Sequence, residues 1–136
     1  MATIKLNTTC GELVDLMNGL FGVQDIPGKK LAMVVSKNIS TLQGTLEHVE
    51  KVGKPTEEFM KFANEIKRLQ DIGDQESMKK LEDSNAELIA ERKIQIDKVQ
   101  DLLKKESKAE LEIITKEIIP ENVTARQINN LEKIII

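Results

Sequence analysis

The sequence predicts a mainly α-helical protein: a long antiparallel helical hairpin with short flanking helices, closed by a small two-stranded β-ribbon. Three observations carry this. Gln75 to about Lys108 keeps a helical apolar period with no Gly or Pro. Ile26 to Gln70 keeps one as well, apart from an interruption at Gly53-Lys54-Pro55. Short stretches near both ends change to a period of two. At 136 residues the chain is expected to form a single domain over 1–136.

In chain order, 2–6 (ATIKL) is expected to be a strand, with Ile4 and Leu6 on one side. Thr9 and Glu12 have capping-box spacing, which predicts a helix over 9–22 bearing Cys10, Leu13, Val14, Met17, Leu20 and Phe21, with Gly22 as C-cap. Pro27 fits the first position of a long helix over 27–70, because a missing N–H costs nothing there. Leu31, Val35, Leu42, Leu46 and Val49 form its stripe, and Pro55 breaks or kinks it. Phe59, Phe62, Ile66 and Leu69 continue the apolar face. After a turn at Gly73, a long helix over 75–108 is expected to bury Met78, Leu81, Leu88, Ile89, Ile96, Val99, Leu102 and Leu103. A strand over 110–117 follows, and then a helix over 124–135 with Thr124 and Gln127 as capping box and Val123 and Ile128 as hydrophobic staple. The two strands are expected to pair. Such a thin hairpin leaves apolar area on its outer side, which predicts a homo-oligomer.

Composition narrows the function classes. The net charge is −3, and Lys and Glu are mixed along the helices, unlike the basic face of a duplex nucleic-acid binder. There is no Trp or Tyr to stack on single strands. Cys10 is the only cysteine and reads as a buried thiol. His48 is the only histidine and reads as solvated. No phosphate loop, metal-ligand spacing or nucleophile elbow is present, so the expectation is no enzyme, no cofactor and no metal. No signal peptide or apolar run of spanning length is seen, which predicts no membrane association.

Some polar residues interrupt the apolar stripes. Lys30, Lys37, Asn38 and Thr41 share one side of the second helix, and Asn85, Arg92 and Gln95 interrupt or flank the stripe of the third. Across a hairpin, Lys30, Lys37, Asn38, Arg92 and Gln95 would suit a small anionic ligand. Oriented N–H groups at Gly28-Lys29-Lys30 would add to the site. The alternative is structural, with Asn38 fixing register and Arg92 lying along apolar surface toward water.

The runs Ile26–Leu42 (IPGKKLAMVVSKNISTL), Pro55–Leu69 (PTEEFMKFANEIKRL), Glu91–Leu103 (ERKIQIDKVQDLL) and Glu117–Ile135 (EIIPENVTARQINNLEKII) together resemble a group of small helical proteins encoded by tailed bacteriophages. The connector near Gly73 is shorter than in that group. Most of the group has no assigned function, so the resemblance implies an accessory protein in the host cytoplasm. Two roles follow as expectations. One is an anti-defence sponge that sequesters a cyclic or modified nucleotide signal. The other is a coiled-coil interaction or virion-assembly factor with no small ligand.

Overall fold

The computed structural model describes residues 2–136. It is mainly helical, with one two-stranded antiparallel sheet joining an N-terminal to a C-terminal strand, as the sequence predicts. Strand β1 (Thr3–Thr9) leads into α1 (Cys10–Phe21), α2 (Lys29–Thr45), α3 (Glu47–Gly53), α4 (Glu57–Asp71), α5 (Gln75–Ser84) and α6 (Ala86–Leu103). Strand β2 (Glu106–Glu112), a 3-10 turn at Lys116–Ile118, α7 (Ala125–Asn130) and a second 3-10 turn at Glu132–Ile134 complete the chain. The fold divides into two compact units: residues up to Val49 together with Leu102–Ile136, and Glu50–Asp101.

The first unit holds the core. On α1, Cys10, Leu13, Leu16 and Leu20 are buried. On α2 the stripe Leu31, Val34, Val35, Ile39 and Leu42 is buried, followed by Leu46 and Val49. Ala109 and Leu111 of β2, Ile114, Leu131 and Ile134 close it from the C-terminal side. Antiparallel pairing runs from Thr3↔Glu112 to Thr9↔Glu106 without a bulge. Ile114 forms a parallel bridge with Ile135, which holds the C-terminal residues against the core. Gly19 is the point where α7 reaches α1: a Cβ there would stand 3.0 Å from the Cβ of Asn130 and 3.1 Å from its carbonyl oxygen. The side chain of Thr9 caps α1, but Glu12 does not return the bond. Its carboxylate accepts from Lys133 instead, at 2.8 Å.

Several boundaries differ from expectation. The first strand extends to Thr9 rather than ending near residue 6, because β2 pairs with it along its whole length. Residues 27–70 form three helices. Gly28 at φ 143° is the N-cap of α2, so Pro27 lies before the helix and not inside it. The helical run ends at Gly53, and Thr56 caps a new helix by accepting from the Phe59 N–H at 3.1 Å. A further break separates α2 from α3 at Leu46. There Thr41 and Thr45 hydroxyls donate to carbonyls four residues back, and a Cβ added at Gly44 would meet nothing within 4 Å. The expected helix over 75–108 breaks at Asn85 by the same chemistry. The Ser84 hydroxyl donates to Lys80 O and the Asn85 amide to Leu81 O. It ends at Leu103, and the second strand is 106–112 rather than 110–117, since Ser107, Ala109 and Leu111 are the residues that face inward. The last helix stops at Asn130, where the chain turns to reach Ile114. Its capping box, Thr124 with Gln127, is complete.

In the second unit, α4 lies antiparallel to α5 and α6: Phe62 faces Leu81 and Leu88, and Phe59 faces Arg92. Leu69 is its one buried apolar side chain among the described residues. The sequence predicts Met78, Leu81, Leu88, Ile89, Ile96, Val99, Leu102 and Leu103 on a buried side, yet neither α5 nor α6 has a fully buried residue. A pair of helices has one seam, and these positions outnumber what one seam covers.

Candidate functional site

The polar interruptions form two separate clusters, one in each unit. Asn38 is 1% exposed, in the middle of the α2 stripe. Its Nδ2 donates to the backbone carbonyl of Glu112 at 2.9 Å, and its Oδ1 accepts from the Glu112 N–H at 2.8 Å. A side-chain amide has the donor and acceptor layout of a peptide group, so Asn38 pairs with β2 as a strand residue would. The Glu112 carboxylate is 9% exposed and takes the Lys37 Nζ at 2.7 Å. Lys37 and Asn38 are adjacent in sequence and meet the same residue, the first through its charge and the second through its peptide. Thr41 is turned back onto Lys37 O. Lys30 is exposed in the first turn of α2, where there is no acidic residue and no side-chain cap.

In the second unit, Arg92 Nη1 donates to Gly53 O at 2.8 Å and to Gln95 Oε1 at 2.7 Å. Gln95 Nε2 in turn donates to Lys54 O at 2.6 Å. The last carbonyls of a helix have no intrahelical partner, and Pro55 has no N–H that could continue the ladder. Arg92 and Gln95 satisfy the carbonyls left open there. The guanidinium also sits over the Phe59 ring, 5.6 Å from its centroid. Of the five expected ligand residues, Lys37 and Asn38 are thus gathered on Glu112, and Arg92 and Gln95 on the end of α3. Lys30 makes no ion pair among the described residues. No group of His, Cys, Asp and Glu able to hold a metal ion is found among them either. No helix is long and apolar enough to cross a membrane.

The sequence predicts unfilled apolar area on the outer side of the hairpin without placing it, and the structure shows such a surface on the second unit. Phe59, Phe62 and Ile66 of α4 and Ile89 and Ile96 of α6 line an open groove of about 450 Å³. Arg92 and Lys93 flank it on α6, and Glu82 lies at the α5 end. Ile89 is 37% and Ile96 43% exposed. Their spacing, with Arg92 and Lys93 between, keeps all four on one helical face. The opposite groove of the same helices differs in character, with Glu58, Glu65, Glu87 and Glu91 along it. The available signal was the surplus of Ile on α6 over what a single seam takes in.

No protein-family model, curated protein or solved structure matches the chain. The functional reading therefore rests on the geometry of these surfaces.

Proposed function

We propose that the protein is a non-enzymatic interaction factor whose helical hairpin takes an amphipathic helical segment of a partner protein into the Phe59–Ile96 groove. One observation carries this: Glu50–Asp101 buries a single apolar side chain while a lined apolar groove stays open beside it. A third helix laid in the groove would complete the packing. Ile89 and Ile96 are already more than half covered, so completing their burial would contribute about 0.5–1 kcal/mol each. The partner's chemistry follows from the rim. Lys93 flanks the apolar floor, while Arg92 is already held on Gly53 O and Gln95, so the segment carries apolar residues at i, i+3 or i+4, and i+7, with an acidic residue placed to meet Lys93. In this reading the chain is an accessory or assembly protein of the host cytoplasm, the role its resemblance to small phage proteins implies.

The sponge reading asks more of the molecule. An anionic ligand would have to free Lys37 and Asn38 from Glu112, or Arg92 and Gln95 from the carbonyls of Gly53 and Lys54. The test is a displayed library of helical peptides selected on the wild-type chain and counter-selected on the Ile89→Lys, Ile96→Lys variant. Enrichment of acidic-flanked amphipathic peptides that bind only the wild type supports the groove. No enrichment, or binding that survives both substitutions, overturns it. A thermal-shift screen with cyclic dinucleotides and ADP-ribose derivatives runs in parallel. A true ligand at 100 times its Kd adds about 2.7 kcal/mol, and a shift of that size abolished by Lys37→Ala would restore the sponge in place of the groove.

A further inference from the structure

The charges that line the Phe59–Ile96 groove are unevenly engaged. Arg92 is held on Gly53 O and Gln95. Lys93 and Glu82 are exposed, and neither side chain makes an ion pair or a hydrogen bond among the described residues. The two free charges are opposite in sign and stand toward opposite ends of the apolar floor. Lys93 lies on α6 toward the Phe59 end and Glu82 on α5 toward the Ile66 end, about three helical turns apart. On α4 the floor runs from Phe59 to Ile66, with Phe62 at its middle. The middle of the Glu82–Lys93 span is Leu88, and Phe62 faces Leu88. One line across the hairpin at that level therefore halves the groove on both of its walls.

We infer that in the free protein this groove is covered by the same groove of a second copy, about a two-fold axis that lies in the interface and crosses the helices at Phe62 and Leu88. That axis turns the second copy end for end, so α4 packs on α4 and α6 on α6, each pair antiparallel, as in a four-helix bundle. Lys93 of each copy then meets Glu82 of the other, and Phe59 meets Ile66 of the other. Phe62 and Ile89 lie beside the axis, where both copies cover them. The contact is isologous and closed. A two-fold running along the helices would keep Lys93 level with Lys93 of the second copy and Glu82 level with Glu82, so neither free charge would find its opposite. The inference rests on the groove being a docking face, as in the proposed function, and adds a regulation of that face. A partner's helix reaches the floor only when two copies part, and its acidic residue then takes the place on Lys93 that Glu82 of the second copy held.

The test is sedimentation of the full chain over a concentration series. The wild type is expected to show a monomer in equilibrium with a dimer, and the Ile89→Lys, Ile96→Lys variant only a monomer. Charge reversal checks the register. Glu82→Lys and Lys93→Glu each turn two attractive contacts per dimer into two repulsive ones, so either alone should weaken the dimer about tenfold or more. An equimolar mixture of the two should regain the wild-type dimer, since one copy then carries only positive charge at both ends and its mate only negative. Both residues are exposed, so neither change touches the core. A wild-type monomer at every concentration overturns the self-pairing and leaves the groove reading to the peptide selection. A dimer that survives both lysine substitutions, or a mixture no more dimeric than each charge variant alone, overturns it too. A dimer lost in Ile89→Lys, Ile96→Lys beside a selection that enriches no peptide keeps the self-pairing and overturns only the foreign partner.

Discussion

Asn38 shows how one side chain can stand in for a strand. It occupies a position of the α2 stripe that an apolar residue would fill, and it offers an amide to a peptide group that has no strand beside it. Replacing it with Ala leaves both the N–H and the carbonyl of Glu112 buried and unpaired. Each such group costs about 1–3 kcal/mol, so Asn38→Ala is expected to destabilise the first unit by about 2–4 kcal/mol in urea titrations. Asn38→Asp should do at least as much damage, because it keeps the acceptor, loses the donor and sets a second carboxylate near that of Glu112. Lys37→Met should cost less, about 1–2 kcal/mol: the lysine end of the pair is 68% exposed and screened, but the substitution leaves the Glu112 carboxylate, 9% exposed, without its cation. If Asn38→Ala proves as mild as Lys37→Met, the strand-like pairing does not carry the β2 edge. The sequence showed the anomaly at Asn38 but not its partner. Nothing local links residue 38 to residue 112, and a pairing across that separation is set by how α2 packs on β2.

At the scale of the element, two threonine caps and the break at Pro55 were legible, whereas the start of α2 and the breaks at Leu46 and Asn85 were not. Thr9 and Thr124 cap as predicted, because a cap is a bond between residues three apart, though only Thr124 has its capping box completed; Thr56 is a further cap that the sequence analysis did not name. The breaks at Leu46 and Asn85 coincide with hydroxyl and amide side chains that donate to carbonyls four residues back, and only the first has a glycine, Gly44, nearby. Asn85→Ala removes one competitor and supplies a better helix former. It is expected to join α5 to α6, raising the helical signal and adding about 0.5 kcal/mol, with slower amide exchange between Glu82 and Ile89 as the readout. An unchanged exchange pattern would place the cause of the break elsewhere. The second strand was misplaced because Glu106–Glu110 alternates Glu and Lys with Ser and Ala, a weak contrast that pairing with β1 overrides.

The cap of α5 also makes a pH prediction. The Ser77 hydroxyl and backbone N–H both donate to the Asp74 carboxylate and hold its pKa below the ordinary aspartate value. A carboxylate depressed in the folded state contributes stability that is fully present above its unfolded pKa, near 3.9. That stability is lost as pH falls through the lower folded value. The Asp74 carboxyl resonance should therefore titrate below about 3.9, and Asp74→Asn should flatten the acid limb of hairpin unfolding. Glu65, held low by the Arg68 guanidinium, titrates in the same direction. Asp74→Asn therefore flattens that limb only in part.

For the molecule as a whole, the two units differ in what holds them. The first has a core drawn from α1, α2, β2 and the C-terminal residues, with Leu13, Leu20, Val34, Leu42, Ile114 and Ile134 at 0% exposure. The second has one buried apolar residue, Leu69, and several large ones in water. Burial is the main favourable term in folding, at about 25 cal/mol per Å², so a segment that buries little opens at a small fraction of the global free energy. Native-state hydrogen exchange is expected to sort the amides accordingly. Those of Val34, Val35, Leu42 and Leu111 should exchange only through global unfolding, with a strong denaturant dependence. Those along α4, α5 and α6 should exchange through a smaller opening of Glu50–Asp101, with a weaker dependence. Urea unfolding followed at the two units should then give separate midpoints, the second unit's being lower. A peptide selected for the Phe59–Ile96 groove should raise only the second midpoint, because it covers apolar surface that the free hairpin leaves in water. Coincident midpoints and uniform exchange would mean that the hairpin draws its stability from the core of the first unit, and an open groove could not then be the reason for a partner.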